Sequence, residues 1–206
     1  MVEALKESEK VSGAYRGVSD EKRSFSRAPK GITREQILEA ALLLFLKNSY
    51  AGTSTRLIAE ALDMSKANLY HHFPVKEGLL HALLDPLFDQ VDELLGHHRP
   101  APNSSPEQRE FLEEYFDLIL ECRLLVTLLA SDPGVLAVAG IGDRTIELND
   151  RLTALVAGSE PGVEGQVKAA CALGALQTAA IRFYQADSEA VRRAGLEAAF
   201  AVLGDK

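Results

Sequence analysis

The spacing of the apolar residues is the feature that most constrains how this chain can fold. From residue 33 almost to the end, apolar residues recur three and four positions apart, as in Ile37, Ala41, Leu44 and Phe45. This period places them on one face of an α-helix. No β-type alternation and no repeat of fixed length appears. With 47% hydrophobic residues, the chain has enough apolar material for a globular core. The sequence therefore predicts an all-α fold.

Helix start and stop signals divide this pattern into segments. Thr33 with Gln36 three residues later forms a capping box, which begins a helix. Pro74 ends another helix, because the residue before a proline is disfavoured in helical geometry. Pro86 lies inside a long apolar segment and is expected to kink it. The predicted helices span about 33–48, 54–62, 65–73, 75–96, 106–121, 123–131, 143–157, 164–184 and 188–203.

Composition and charge indicate three regions. Residues 1–30 are polar and lack periodic apolar positions, so we predict a largely disordered tail. Residues 31–90 are expected to form one domain, and 91–206 a larger helical domain. The net charge is −8, but residues 1–82 hold 12 Lys and Arg against 10 Asp and Glu. A surface that binds a polyanion therefore belongs in the first part of the chain.

Two short helices, at about 54–62 and 65–73, are joined by a tight turn and flanked by longer helices. This is the layout of a helix-turn-helix, whose second helix enters the DNA major groove. Leu69 and Phe73, four residues apart, supply the apolar anchor of that second helix. The other side offers polar groups. Lys66 can reach a phosphate or a guanine edge, because both are hydrogen-bond acceptors.

Further polar residues surround the predicted second helix. Asn68 can read adenine or contact the DNA backbone. His71 is expected to face DNA and His72 to turn toward the domain. Hydroxyls at the start of the 54–62 helix, and Lys76 at the start of the next long helix, lie beside free backbone amides that bind phosphate. The predicted DNA contacts are Thr53, Ser54, Thr55, Arg56, Ser65, Lys66, Ala67, Asn68, Tyr70, His71 and Lys76.

These motifs resemble the N-terminal domain of the tetracycline-repressor (TetR) family of bacterial transcription regulators. The matching elements are Y-x-G-T-S-T at 50–55, IAEAL at 58–62, SKANLYHHF at 65–73 and KEGLL at 76–80. DMSK stands at 63–66, where many members have GVSK. The resemblance implies a dimer with paired recognition helices, a ligand-binding C-terminal domain and, usually, transcriptional repression.

The C-terminal region offers candidates for the dimer interface and the ligand pocket. Its last two helices are rich in small residues, which fits a four-helix bundle with a second copy, although an ordinary buried helix has the same pattern. The candidate interface residues are Val167, Cys171, Gly174, Thr178, Ala198 and Leu203. A pocket between helices should be mostly apolar. Its candidates, each of which also fits a plain core position, are Phe88, Phe111, Tyr115, Phe116, Cys122 and Thr127.

Other classes of site fit the sequence poorly. Adjacent histidines, at 71–72 and at 97–98, point about 100° apart on a helix and lack the spacing of metal ligands. No nucleophile elbow, phosphate-binding glycine loop or paired-carboxylate motif appears. We therefore predict neither a metal nor another cofactor, and no enzymatic activity. The N-terminus lacks a secretory h-region, no apolar run reaches membrane-spanning length, and two cysteines fit a reducing cytoplasm.

The predicted function is a cytoplasmic, homodimeric, ligand-responsive DNA-binding regulator. A small-molecule effector is expected to release this repressor from a near-palindromic double-stranded DNA operator. The alternative is a helical interaction or small-molecule-binding module that no longer engages DNA. The modest excess of two positive charges in residues 1–82 is the only sequence support for that alternative.

Overall fold

The computed structural model describes residues 32–100, 105–158 and 162–204, and the predicted tail at 1–30 lies outside them. Within these ranges all regular structure is helical, which confirms the all-α prediction. The described helices are α1 (Arg34–Asn48), α2 (Thr55–Ala61), α3 (Lys66–His72), α4 (Glu77–His97), α5 (Pro106–Glu121), α6 (Arg123–Ser131), α7 (Pro133–Leu136), α8 (Ile141–Ala157), α9 (Val163–Arg182) and α10 (Ser188–Leu203).

Helix α7 is an element that the apolar period did not predict, since the sequence indicated only a break between longer helices. Asp132 accepts a hydrogen bond from the Gly134 N–H at 2.9 Å, and Pro133 occupies the first helical position. A side-chain cap followed by proline starts a helical turn. A single turn is too short to show periodicity, so only its cap could have revealed it.

The first three helices pack around a small apolar core. Thr33 and Gln36 form the predicted capping box at the start of α1, with the Gln36 N–H donating to Thr33 Oγ1 at 3.3 Å. The buried side chains of this core include Ile37, Phe45, Ile58, Leu69 and Phe73. The three helices therefore form one packed unit, although each of α2 and α3 has only seven residues.

The turn between α2 and α3 is a Schellman motif. The Met64 N–H donates to the Ala59 carbonyl at 3.0 Å, and the Asp63 N–H donates to the Glu60 carbonyl at 3.2 Å. This pair of bonds is the C-terminal cap of a helix whose next residue has left-handed backbone geometry. That residue is Asp63, with φ of 50°. The chain thus reverses within three residues, and Ser65 then caps α3.

Helix α4 is the longest described helix and runs without interruption past Pro86. It crosses the predicted boundary at residue 90, and it packs against α1 as well as α5, α6 and α8. Its buried side includes Leu80, Leu84 and Leu87. The same helix therefore belongs to the cores of both predicted domains.

Ion pairs fasten the exposed side of α4 to α8. Arg144 of α8 lies 2.6 Å from Asp89 and 3.0 Å from Asp92, both on α4. Arg151, two turns further along α8, also pairs with Asp92. Burial would raise the pKa of Asp92, but the hydrogen bonds from Arg144 and Arg151 outweigh it and hold that pKa below its ordinary value.

The C-terminal helices pack closely around the aromatic side chains of α5. Helices α9 and α10, joined by a short connection, pack on each other, and both contact α5. Gly195 of α10 faces Phe116 so closely that a Cβ atom there would lie 2.6 Å from the ring. Any larger residue at position 195 would force this packing apart, so the glycine is required by close approach rather than by backbone geometry.

Candidate nucleic-acid interface

Helix α3 presents its polar side chains to solvent on an anchored backbone. Leu69 and Phe73 are buried, as predicted for the anchor. His71 is exposed and His72 is half-buried. The exposed residues of the predicted contact set in and beside this helix are Ser65, Lys66, Ala67, Asn68, Tyr70 and His71.

A hydroxyl pair joins α3 to the start of α2. Thr55 Oγ1 lies 3.1 Å from Tyr70 Oη, although the two residues are 15 positions apart. Tyr70 is 41% exposed, so its ring and hydroxyl remain accessible while this contact is made. The N-terminus of α2 and the outer face of α3 therefore form one continuous surface, which we call the α2–α3 surface.

The serines on the α2–α3 surface act as helix caps. Ser54 Oγ accepts from the Leu57 N–H at 3.1 Å, and Ser65 Oγ accepts from the Asn68 N–H at 3.2 Å. Each cap satisfies one backbone donor and leaves the other amides of the first turn for a ligand. Arg56 is exposed and its guanidinium donates to Glu60 at 2.6 Å, one turn along α2.

Two of the predicted contact residues have their polar groups engaged inside the protein. Thr53 is 1% exposed, and its hydroxyl lies 2.8 Å from the Ser49 carbonyl and 3.1 Å from that of Leu44. It therefore holds the loop that precedes α2. Lys76 Nζ donates to the Tyr50 carbonyl at 2.5 Å and lies 3.9 Å from the centroid of the Tyr50 ring.

The environment of Lys76 differs from that of a solvated phosphate-binding lysine. Burial lowers the pKa of its ammonium, and the carboxylates of Glu77 and Asp132 act in the opposite direction. The ring that it covers is also buried. Burial first, and then the nearby Glu77 carboxylate, raise the pKa of Tyr50 to about 12. In this structure the Lys76 side chain thus joins α4 to the loop before α2.

The candidate pocket residues are placed mostly in the hydrophobic core. Phe88, Phe111, Tyr115 and Phe116 are buried, whereas Cys122 and Thr127 are half-buried. The Phe111 and Tyr115 rings stack with centroids 6.1 Å apart. The Thr127 hydroxyl donates to the carbonyl of Arg123 in its own helix at 2.7 Å. The structure thus brings the α5 aromatics together. The Thr127 hydroxyl, in contrast, is engaged by the backbone of its own helix.

The candidate interface residues divide into two groups. Val167, Cys171, Thr178 and Ala198 are exposed and Gly174 is partly so, whereas Leu203 is buried within its own chain. Apart from its chain neighbours and the backbone of its own helix, no heavy atom of the described residues lies within 4 Å of the position that a Cβ on Gly174 would occupy. The α9 candidates recur at intervals of three and four residues and therefore share one face of that helix.

Gln177 and Asp132 make long-range contacts that the sequence did not indicate. The Gln177 amide donates to the Tyr115 hydroxyl at 2.8 Å inside the C-terminal helices. Asp132 is 8% exposed and accepts a hydrogen bond from the backbone of Tyr50. A signal for Gln177 was present, since it and Thr178 are the polar side chains of the otherwise small and apolar segment ALGALQTAAI. Nothing local marks the partner of Asp132, which lies 82 positions away.

The described residues contain no group of three His, Cys, Asp or Glu side chains able to hold a metal ion. None of the helices in the described ranges is long and apolar enough to cross a membrane.

Comparison with known proteins identifies the α1–α3 unit. Residues 37–83 match the family model of the bacterial regulatory proteins, tetR family. The solved structure of AmtR from Mycobacterium smegmatis is 26% identical, with a TM-score of 0.68 over 88% of this chain and 91% of that one. Residues 37–83 therefore form a domain of the tetR family, and the chain shares its overall fold with AmtR.

A second solved structure of the tetR family shares the fold at lower sequence identity. A regulator of this family from Streptomyces coelicolor is 20% identical, with a TM-score of 0.65 over 88% of this chain and 92% of that one.

Among curated relatives, the probable transcriptional regulator YttP of Bacillus subtilis is 28% identical over 87 residues, 42% of each chain. The regulator TtgR of Pseudomonas putida is 33% identical over 94 residues, covering 44% of this chain and 45% of TtgR. The chain thus matches less than half the length of these two relatives.

Proposed function

We propose that this tetR-family chain is a cytoplasmic, homodimeric transcriptional regulator that binds a near-palindromic DNA operator and acts as a repressor. The α2–α3 surface carries this proposal. Its side chains are exposed and hydrogen-bonding, the helix beneath them is anchored by Leu69 and Phe73, and two helix N-termini open onto it. Such a surface fits the major groove, where side chains contact base edges and backbone amides contact phosphates.

Dimerisation is supported by an apolar surface on the last two helices, which we call the α9–α10 stripe. It consists of exposed or partly exposed small and apolar residues: Val163, Val167, Ala170, Cys171, Gly174 and Thr178 of α9, and Ala194, Ala198, Ala201 and Val202 of α10. Two such hairpins pack as a four-helix bundle around a two-fold axis. A dimer places two α3 helices on the two halves of a palindrome.

A small-molecule effector would bind among the C-terminal helices. The buried aromatics of α5 and Phe88 of α4 supply apolar lining, and the Tyr115–Gln177 hydrogen bond supplies a polar group among them. A mostly apolar pocket with few polar groups is typical of small-molecule sites. Helix α4 reaches from this region to the α1–α3 unit, so a ligand that moves α4 would change the spacing of the α3 helices.

Selection from random duplex DNA at fixed salt tests the proposal. The wild-type chain is expected to enrich one near-palindrome with half-site centres about 34–36 Å apart, or a multiple of that distance. Asn68→Ala should relax preference at one base pair, at a cost of about 1–3 kcal/mol if it reads a base edge. Lys66→Ala should weaken binding, and it should reduce the salt dependence if its contact is a phosphate.

Arg99→Ala is the matched control for Lys66→Ala. It removes one exposed cation just beyond the end of α4, about 30 Å from the start of that helix. Its affinity and salt dependence should equal those of the wild type. Failure to enrich any sequence would favour the alternative, a helical module that no longer engages DNA. Enrichment with unchanged affinity in both α3 variants would reject the α2–α3 surface as the contact.

A further inference from the structure

A buried carboxylate connects the C-terminal helices to the helix-turn-helix. Asp132 lies between α6 and α7 and is 8% exposed. Its Oδ1 accepts from the Gly134 N–H at 2.9 Å, and its Oδ2 accepts from the Tyr50 N–H at 2.5 Å. Tyr50 lies in the loop between α1 and α2. One side chain therefore both caps α7 and holds the backbone of the DNA-binding unit.

The other side of Tyr50 is held by a cation. Its carbonyl accepts from Lys76 Nζ, and that ammonium also lies over the Tyr50 ring. Lys76 immediately precedes α4. The Tyr50 backbone is thus fixed between a carboxylate from the α6–α7 junction and an ammonium from the start of α4. Three segments meet at this residue, which we call the Tyr50 junction.

The opposite charges at the Tyr50 junction favour one arrangement of its three segments. Asp132 is buried and Lys76 is half-buried, and the attraction between carboxylate and ammonium reduces the cost of burying each of them. Removal of either partner leaves a charge in a poorly solvated place. Hydrogen bonds to Tyr50 are also directional, so they add an orientational constraint to the packing of α1 on α6.

Movement at Tyr50 would be transmitted to the recognition helix. Thr53, three residues later, ties the loop to the carbonyls of Leu44 and Ser49 at the end of α1. The Thr55–Tyr70 hydroxyl contact then ties the start of α2 to α3. A continuous series of hydrogen bonds thus links residue 49 to the α2–α3 surface, so a displacement of Tyr50 would move α3.

We propose that Asp132, acting through Tyr50, sets the angle at which the helix-turn-helix is held on the C-terminal helices and thereby selects the operator half-site spacing that the dimer accepts. This inference rests on the proposed DNA-binding function. Asp132 is a positioning residue, since its carboxylate contacts the protein backbone and lies away from the α2–α3 surface. Its loss should change tolerance to spacing and leave the reading of each half-site intact.

The DNA experiment compares the enriched operator with versions that have one base pair added or removed between the half-sites. One base pair shifts the second half-site by about 3.4 Å and about 35°. The wild type should lose about tenfold or more in affinity for both altered spacings. In Asp132→Ala the penalty should fall to about threefold or less, while the penalty for a base change inside a half-site stays at its wild-type value.

Matched variants separate positioning from loss of charge or fold. Asp150→Ala removes an exposed carboxylate from α8 and should keep the wild-type spacing profile. Asp132→Asn keeps the size and one acceptor oxygen, so its profile should be intermediate. If Asp132→Ala does not fold by circular dichroism, Asp132→Asn and Lys76→Met carry the test. A wild-type spacing profile in the folded Asp132 variants would overturn the proposal.

A measurement without DNA tests the positioning role of Asp132 separately from the proposed DNA-binding function. Spin labels are attached at Ala67→Cys in α3 and Asn149→Cys in α8, in a Cys122→Ala and Cys171→Ser background. The distance distribution within one chain should be narrow with Asp132 present and broader or displaced in Asp132→Ala. An unchanged distribution rejects the positioning role even if DNA binds, and a broadened one supports it even if no operator is found.

Discussion

Asp63 has the backbone geometry that glycine adopts most easily. Its φ of 50° lies in the left-handed region, where a Cβ atom approaches the following carbonyl oxygen at a cost of roughly 1–2 kcal/mol. The Schellman bonds at the end of α2 nevertheless require this geometry. The position is the first of the DMSK segment, which replaces the GVSK found in many family members. The sequence difference therefore has a conformational cost that the motif alone did not reveal.

Asp63→Gly should stabilise the protein. We expect a gain of up to about 1 kcal/mol in the free energy of unfolding, because the relieved strain exceeds the extra entropy that glycine loses on folding. The midpoint of urea-induced unfolding measures it. Asp150→Gly, the same exchange on the exposed face of α8, should instead destabilise slightly, by about 0.3 kcal/mol. A loss of stability in Asp63→Gly would contradict this account.

Single residues also show where sequence reasoning succeeds and fails. The anchors Leu69 and Phe73 were predictable because helical period is a local property of the chain. Thr53 and Lys76 occupy positions typical of phosphate contacts, yet both side chains turn inward. The partner of Lys76 is 26 positions away and that of Asp132 is 82 positions away. Such pairings depend on how whole helices pack, which no short segment specifies.

At the scale of elements, the helix boundaries followed the sequence closely while the relations between helices did not. The pattern placed helices at 106–121 and 188–203, and α5 and α10 occupy those ranges. It gave no indication that Arg144 and Arg151 would hold α4 through Asp89 and Asp92. The ion pairs matter because α4 belongs to the cores of both predicted domains.

The α4–α8 ion pairs should make stability depend on pH in the acid range. Asp92 has a pKa below its ordinary value near 3.8, so its contribution is complete above that value and is lost as pH falls through the lowered pKa. Between about pH 5 and pH 2, wild-type stability should therefore fall more than that of Arg144→Met. Since these side chains are partly exposed, we expect a difference of about 1 kcal/mol or less.

Urea unfolding at a series of pH values measures this difference. Arg99→Met, which removes an exposed cation beyond α4, serves as the control and should follow the wild-type curve. Parallel curves for wild type and Arg144→Met would show that the ion pairs contribute nothing to the pH dependence.

At the scale of the whole molecule, the α9–α10 stripe is the exposed surface most suited to a second copy. Gly174→Arg tests it with little risk to the fold, because a Cβ there would meet no described residue outside its own helix within 4 Å. If the chain dimerises as proposed, the arginine should yield a monomer, since burying an unpaired charge in an apolar interface is strongly unfavourable. Sedimentation velocity at micromolar concentration measures the change.

Ile146→Arg is the control for dimer loss. Ile146 is 63% exposed on α8 and lies outside the stripe, so this variant should remain dimeric. A dimeric Gly174→Arg protein would place the interface elsewhere.

The length of α4 also separates the charges of the molecule. With 21 residues it spans about 30 Å, whereas the Debye length at physiological ionic strength is about 8 Å. Exposed carboxylates beyond the far end of α4 are therefore screened from an anion bound at the α2–α3 surface. The net charge of −8 thus says little about affinity for DNA. Carboxylates at that distance add to the net negative charge without repelling the phosphate backbone.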